Sequence, residues 1–355
     1  MNRQEAIRKA PQLPPDGIVR TEALRLYVDL VRDLGGDPAR LLGDVRIDPD
    51  ALSSADAVIS YRSMIHLLER TAADLNCPDF GLRLAGRQGG MAVLGPLEVA
   101  MRNASTVGEA YRFCAAHLQV YSPVIQIGIE PSRGSGRHFM RFEILLERVP
   151  NQRQTVENAL GLTHHAVLAL SGGRFGSRET WFTHEPLAPA AVYRRFFGGP
   201  VRFGQPYNAI FFDDRDLDHP IGGQNPRLSE MASCYIASRY PARQQTFVAT
   251  VRTLATRLLP HGTCTHDTIA AQMGMHPRTL QRRLRDEGTS FDEIKDQVRR
   301  AAAERYLRES DLPLTKIAML LGYSETSVLT RSCQRWFSAS PRQVRKSRAA
   351  LRDSA

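Results

Sequence analysis

Apolar positions along the first 225 residues change their period repeatedly. From about Thr21, Leu24, Leu26, Leu30 and Leu34 recur at roughly helical spacing until Gly35-Gly36 stops the run. Tyr61 to Leu75 gathers Met64, Ile65, Leu67, Leu68, Ala72 and Leu75 on one face, and Thr106 to Val120 reads as a further helix. Val124 to Glu130 and His138 to Leu145, rich in Ile, Phe and Leu, read as strands. The loop Pro131-Ser132-Arg133-Gly134-Ser135-Gly136 between them makes the pair a hairpin. A helix is expected around Gln152 to Leu170, then short extended pieces near Thr180 to Thr183, Val201 to Phe203 and Ala209 to Phe212. Beyond Pro226 only helical spacing remains. The pattern predicts an α+β N-terminal domain followed by an all-α C-terminal domain. The expected divisions are a loose tail over 1–20, a domain over 21–225, a connecting helical segment over 226–260, a helical domain over 261–346 and a tail over 347–355.

A length of 355 residues favours two or three domains, and 42% hydrophobic residues suffice for packed cores. Charge is uneven. From His261 onward 17 Lys/Arg face 11 Asp/Glu, whereas the preceding 260 residues carry 30 against 26. The net charge of +10 is thus concentrated at the C-terminal end, as in a module that neutralises phosphates. The five cysteines, Cys77, Cys114, Cys234, Cys264 and Cys333, are odd in number and form no CxxC, so buried reduced thiols are expected and no zinc site. No apolar stretch approaches the roughly 20 residues that span a bilayer. The start, with Pro11, Pro14 and Pro15, lacks a signal-peptide core. The expectation is a cytoplasmic protein with no membrane association.

The most informative stretch begins at Thr268. Thr268-Ile269-Ala270-Ala271-Gln272-Met273 reads as a short helix, Gly274 as a tight turn, His276 as a helix N-cap and Pro277 as the first helical position. The helix that follows, to about Asp286, buries Leu280 and Leu284 and presents Arg278, Gln281, Arg282 and Arg285 on its other face. Arg can bond bidentately to guanine and Gln to adenine in the major groove, and further Arg contacts go to phosphates. The alternative is the solvated face of an ordinary helix.

The unit recurs. Ile269, Ala270 and Gly274 match Ile317, Ala318 and Gly322 at an offset of 48. Leu280 and Arg282 match Leu329 and Arg331 at 49, so the second turn is one residue longer. Its second helix presents Thr326, Ser327, Thr330 and Arg331, with Gln334 beyond them, and turns Leu329, Cys333 and Trp336 inward. Ser290-Phe291-Asp292-Glu293 is a capping box opening a helix to about Arg308, with Phe291, Ile294, Val298 and Ala302 as its stripe. Such a rod is roughly 27 Å long. Major-groove faces on one side of B-DNA lie about 34 Å apart, so one chain can address two groove segments.

Over roughly residues 247–346 these motifs resemble the AraC/XylS family of bacterial regulators. Pro277-Arg278-Thr279-Leu280-Gln281-Arg282-Arg283-Leu284 is similar to that family's first recognition helix. Ile317-Ala318-Met319-Leu320-Leu321-Gly322-Tyr323-Ser324-Glu325, with Arg335-Trp336 and Ser340-Pro341, resembles its C-terminal signature. The resemblance implies that Arg278, Gln281, Arg282, Thr326, Ser327, Thr330 and Arg331 occupy DNA-contacting positions. Upstream, Gly35-Gly36-Asp37-Pro38, Phe80-Gly81-Leu82-Arg83, Ser105-Thr106-Val107-Gly108-Glu109-Ala110 and Val201-Arg202-Phe203-Gly204 are similar to the arabinose-binding-like N-terminal domain of such regulators. Three positions depart from the usual pattern: Cys333 stands for Phe, Ser338 for Gly, and His276 for Ser at the cap. A comparable truncation to Ala at a core position costs about 3–5 kcal/mol unless neighbours such as Trp336 and Phe337 refill it.

The expectation is therefore a DNA-binding transcriptional regulator, by resemblance an activator. Its N-terminal domain is a sensor of an unknown small-molecule effector, a dimerisation domain giving a homodimer, or both. The expected partners are double-stranded DNA and RNA polymerase. No catalytic residue, cofactor or metal is expected: His164-His165, His184 and His219 match no ligand spacing, and no nucleophile motif occurs. The aromatic group Tyr193, Phe196 and Phe197 is read as core packing in preference to a pocket wall. Rival readings are a DNA-modifying enzyme that carries the same module, and a protein-interaction module.

Overall fold

A computed structural model describes residues 17–54, 57–132, 136–146, 149, 151–240 and 247–352. These fall in two compact units, one within 1–180, 187–201 and 209–241, the other within 181–186, 202–208 and 242–355. The architecture is α+β followed by an all-helical C-terminal region.

The first unit opens with strand β1 (Ile18–Arg20) and a 3-10 turn (Thr21–Leu24), then α1 (Tyr27–Asp33) and α2 (Pro38–Asp44). The single helix expected from Thr21 is thus broken. Leu26 sits at φ 60°, a left-handed conformation that no continuing helix can contain. Gly35 at φ 79° ends α1 as expected. β1 pairs antiparallel with β2 (Val58–Ser60), so residues 18–20 are not loose; the rest of the expected tail, 1–16, lies outside the described residues. The helices α3 (Tyr61–Asp74), α4 (Phe80–Gln88), α5 (Pro96–Arg102) and α6 (Val107–His117) follow.

β3 (Ile125–Ser132) and β4 (Arg137–Ile144) form the expected hairpin in register Ile125↔Ile144 to Ser132↔Arg137. The pairing runs through Pro131, which had read as loop. β3 is an edge strand, where a residue without an N–H is tolerated. Then come α7 (Arg153–Leu170), β5 (Glu179–Trp181), α8 (Ala190–Phe197), β6 (Val201–Arg202), β7 (Asn208–Asp213), a short α9 (Asp214–Leu217) and α10 (Pro226–Arg239). The five-stranded sheet has the order β3-β4-β7-β5-β6.

α7 is the spine of this unit, and α4 lies directly against it. Two glycines permit the approach. A Cβ on Gly81 would come within 2.2 Å of the Gln154 carbonyl oxygen, and one on Gly161 within 2.7 Å of the Ala85 Cβ. Gln154 returns the contact by accepting from the Gly81 N–H at 2.7 Å. Farther along, Tyr193 is fully buried and donates to Glu157 at 2.6 Å, while Phe196 and Phe197 stack edge to face at 5.0 Å.

The second unit contains α11 (Phe247–Leu258), α12 (His266–Gln272), α13 (Pro277–Asp286), α14 (Phe291–Glu309), α15 (Leu314–Leu320), α16 (Thr326–Phe337) and α17 (Pro341–Arg352). The segment read as a connector is two helices. α10 packs on α5 within the first unit and α11 packs along α14 within the second; 241–246 lie outside the described residues. The expected C-terminal tail is helical through Arg352, and 353–355 are not described. α14 carries the expected capping box between Ser290 and Glu293 and is buried along Phe291, Ile294, Val298, Ala303, Tyr306 and Leu307. Among the described residues no helix is long and apolar enough to cross a membrane.

Candidate nucleic-acid interface

Both helix-turn-helix units close with the same backbone hydrogen bonds. In the first, Met273 donates to the Ile269 carbonyl at 3.0 Å, Gly274 to Ala271 at 3.1 Å and Met275 to Ala270 at 3.0 Å. In the second, Leu321 donates to Ile317 at 3.0 Å, Gly322 to Met319 at 3.0 Å and Tyr323 to Ala318 at 2.9 Å. Gly274 and Gly322 both sit at positive φ, 62° and 66°, which lets the chain reverse while the last carbonyls of the helix are satisfied. The repeat seen in the letters is a repeat of bonds.

After the turns the units diverge. Pro277 starts α13 three residues past Gly274, and Thr326 starts α16 four past Gly322. His276 caps α13 through Nδ1, which accepts from the Arg278 N–H at 3.2 Å, so histidine does the work of the more usual hydroxyl. Glu325, at the corresponding cap of α16, makes no side-chain bond to the backbone and accepts from the Ser327 hydroxyl at 2.8 Å.

The faces differ in charge and in free donors. Leu280 and Leu284 are fully buried, and Arg278, Gln281, Arg282 and Arg285 are all exposed on the opposite side of α13. None of these three arginines makes an ion pair among the described residues. Arg283, between them in sequence, faces elsewhere, its guanidinium 5.5 Å from the centre of the Phe247 ring. On α16, Ser327, Thr330 and Arg331 are exposed and Thr326 is half-buried. Both exposed hydroxyls have local partners, Ser327 at Glu325 and Thr330 at the Thr326 carbonyl, 3.1 Å away. Arg331 is the cation on this face.

The spacer helix holds both units. Lys295 Nζ donates to the Cys264 carbonyl at 2.6 Å, just before α12. Asp296 accepts from the Trp336 indole N–H at 2.8 Å and pairs with Arg335. Arg299 donates to the Leu321 and Gly322 carbonyls at 2.8 and 3.2 Å and lies over the Tyr323 ring, 4.3 Å from its centre. Arg299 thereby satisfies the carbonyls at the turn that ends α15. These positioning residues were not singled out in the sequence. The available signal was a Lys-Asp pair followed by Arg on the one helix that must touch both units.

Cys333 is fully buried, and burial pushes its thiol up to about 11. Trp336 and Phe337 are partly buried and pack against the same core. Four of the five cysteines are buried, whereas Cys234 is exposed, contrary to expectation; none is in a disulfide. Among the described residues no group of three or more His, Cys, Asp or Glu is arranged to hold a metal ion. His164 is buried beside Ser177, its Nδ1 2.9 Å from the hydroxyl, and burial lowers its pKa to about 4.

Residues 35–221 match the family described as the arabinose-binding domain of AraC transcription regulator, N-terminal, and residues 269–347 match a helix-turn-helix domain family. The chain is 38% identical to the HTH-type transcriptional regulator VirS of Mycobacterium tuberculosis over 92% of its own length and 96% of that protein. It is 27% identical to the ornithine utilization regulator of Pseudomonas aeruginosa, covering 90% of this chain and 94% of the other. Among solved structures, the transcriptional regulator CdpR of Pseudomonas aeruginosa aligns over 89% of this chain and 97% of its own at 21% identity and a TM-score of 0.40.

Proposed function

The chain belongs to the AraC family of DNA-binding transcriptional regulators, which are not enzymes, and on that premise we propose that it seats its two recognition helices in successive major-groove segments of one promoter site. α13 reads bases with Arg278, Gln281, Arg282 and Arg285. α16 enters the next segment with Thr326, Ser327, Thr330 and Arg331, contributing shape and phosphate contacts more than charge. The observation that carries this reading is the duplicated turn, bonded alike in both copies and followed each time by a helix with one buried and one open face. α14, at 19 residues, measures about 28 Å, which with the width of the units matches a groove spacing of about 34 Å.

In this reading the helical region over 261–346 binds DNA and the part over 21–225 senses a small-molecule effector. The protein acts in the cytoplasm as an activator that touches RNA polymerase, and two chains bound head to tail occupy direct repeats. Hydroxyl-radical footprinting of the full chain on its own upstream region should protect two patches one helical turn apart on one face of the duplex. In mobility-shift assays Arg282→Ala should weaken the specific complex by about 1–3 kcal/mol. A single protected patch would remove the two-groove reading, and an unchanged affinity for Arg282→Ala would remove Arg282 from the base contacts.

A further inference from the structure

The first unit contains a cavity of about 80 Å³ between α3, α6, the β3–β4 hairpin and α7. Its wall is mostly apolar, and among the described residues no Asp, Glu, Lys, Arg or His lines it. The polar groups that reach it are few, and three are already engaged. Tyr111 donates to the Thr163 carbonyl at 2.9 Å, Thr163 to the Ala159 carbonyl at 2.9 Å, and the Asn158 amide to Gln88 at 3.0 Å. The Thr155 hydroxyl is buried on the first turns of α7 with no hydrogen-bond partner among the described residues, on a residue only 2% exposed. Leaving such a group unpaired costs stability, so a buried orphan hydroxyl on a cavity wall marks the place where a ligand atom would be satisfied. Tyr61 and Tyr121 also line the cavity, and burial pushes both phenols above their usual range, so they remain protonated donors.

We propose that this cavity binds an uncharged, mainly apolar small molecule with a single hydrogen-bonding head, such as an acyl amide, an alcohol or an ester, and that Thr155 holds that head. The inference rests on the reading that this unit senses an effector, and it specifies the chemistry of that effector. A carboxylate or a zwitterionic amino acid would bring charge into a site without a counter-ion, and burying unpaired charge is prohibitive. A pentose would bring more hydroxyls than the wall has open partners. The volume is about half that of an engineered cavity of about 150 Å³ that accepts benzene. The room present therefore suits a slim chain better than a ring system. Met64, Met101 and Met140 on the wall have the flexible, polarisable side chains that let a pocket adjust to such an occupant.

The test uses the full chain and isothermal titration with hexanamide, its isosteric anion hexanoate, L-arabinose and L-ornithine. Hexanamide should bind, and at least about tenfold more tightly than any of the other three. Thr155→Val keeps the shape and removes the hydroxyl. It should weaken hexanamide about tenfold while raising the melting temperature of the unliganded protein, because an unpaired buried group is gone. Ala159→Phe, which fills the cavity from its half-buried wall, should abolish binding. Failure of hexanamide to bind, binding of hexanoate, arabinose or ornithine as tightly, or hexanamide binding unaffected by either substitution would overturn the proposal. Mobility shifts on the same preparations keep the two readings apart. A chain that shifts its specific duplex but ignores hexanamide loses only the cavity assignment, and one that binds hexanamide but shifts no duplex loses the groove reading.

Discussion

The unequal charge of the two recognition faces makes a quantitative prediction about salt. Each phosphate neutralised by a side chain adds about 0.9 to the slope of log affinity against log salt concentration. α13 exposes Arg278, Arg282 and Arg285 without ion-pair partners among the described residues, and α16 exposes Arg331. If these cations meet the backbone, replacing all three arginines of α13 by alanine should flatten the slope by about 2.7, and Arg331→Ala by about 0.9. Between about 50 and 200 mM salt a slope difference of about 2.7 amounts to roughly 40-fold in relative affinity, well within the range of fluorescence anisotropy on a labelled duplex. An arginine that reads a guanine behaves differently from one on a phosphate. Its loss relaxes sequence preference at one position and costs about 1–3 kcal/mol on the specific site. Arg283→Ala is the internal control. It lies on the same helix with the same charge, but its guanidinium is stacked on Phe247, so it should leave the slope unchanged and lower stability by about 0.5–1 kcal/mol. A triple variant that changes neither the slope nor the sequence preference, or an equal loss in the Arg283 control, would refute the assignment of faces.

Further consequences concern packing and titration. Ser338 ends α16 at φ 53°, so Ser338→Gly should raise stability by about 1 kcal/mol in chemical denaturation; a loss would show that the left-handed cap is not strained. Gly81→Ala should cost roughly 3 kcal/mol or more, seen as a lower melting temperature or insoluble expression, because its Cβ would meet backbone and not a yielding side chain. Glu157, fully enclosed, has its carboxyl pushed up to about 8 by burial. Its folded value exceeds the unfolded one, so the native state holds a proton that the unfolded chain releases between about pH 4.5 and 8, and stability falls as pH rises across that window. The loss is on the order of 5 kcal/mol, and Glu157→Gln, which keeps an acceptor for Tyr193, should flatten the pH dependence; an unchanged profile would place the titration elsewhere.

The parts of the fold legible in the sequence are those whose cause is local. α3, α7, the β3–β4 hairpin and the helices α12 to α16 of the C-terminal region follow from periodic apolar residues, caps and glycines at positive φ, all within a few positions of the element they fix. The repeat at an offset of 48 was readable because both copies need the same small residue, Ala270 or Ala318, against the same turn. What escaped depends on distant partners. β1 is three residues long and exists because Ile18–Arg20 pair with Val58–Ser60 across the chain. Leu26 carries no turn signal in its letter, yet its left-handed backbone splits an apolar run that looks continuous. The Thr155 cavity is likewise invisible, since its wall draws on α3, α6, α7 and both strands of the hairpin, and each residue alone reads as ordinary core.

The spacer helix explains how the two short helices that open the helix-turn-helix units, α12 and α15, are held in place. α12 and α15 have seven residues each, far below the length at which an isolated helix is stable in water, so their geometry is set by what they pack on. α14 supplies that packing with a continuous buried stripe, and then adds directional contacts that a stripe cannot. Lys295 reaches the chain just ahead of α12, Asp296 holds the indole of α16, and Arg299 bonds the carbonyls of the second turn. Because all three lie within five residues of one rigid helix, the first and second units are referred to the same backbone segment. In the proposed reading, a charge-rich α13 with open donors discriminates between sequences and a charge-poor α16 with occupied hydroxyls fixes register along the duplex. On that reading a rigid α14 lets the contact made by α16 sharpen the specificity of α13, since a flexible tether would let α16 hold DNA without constraining where α13 reads.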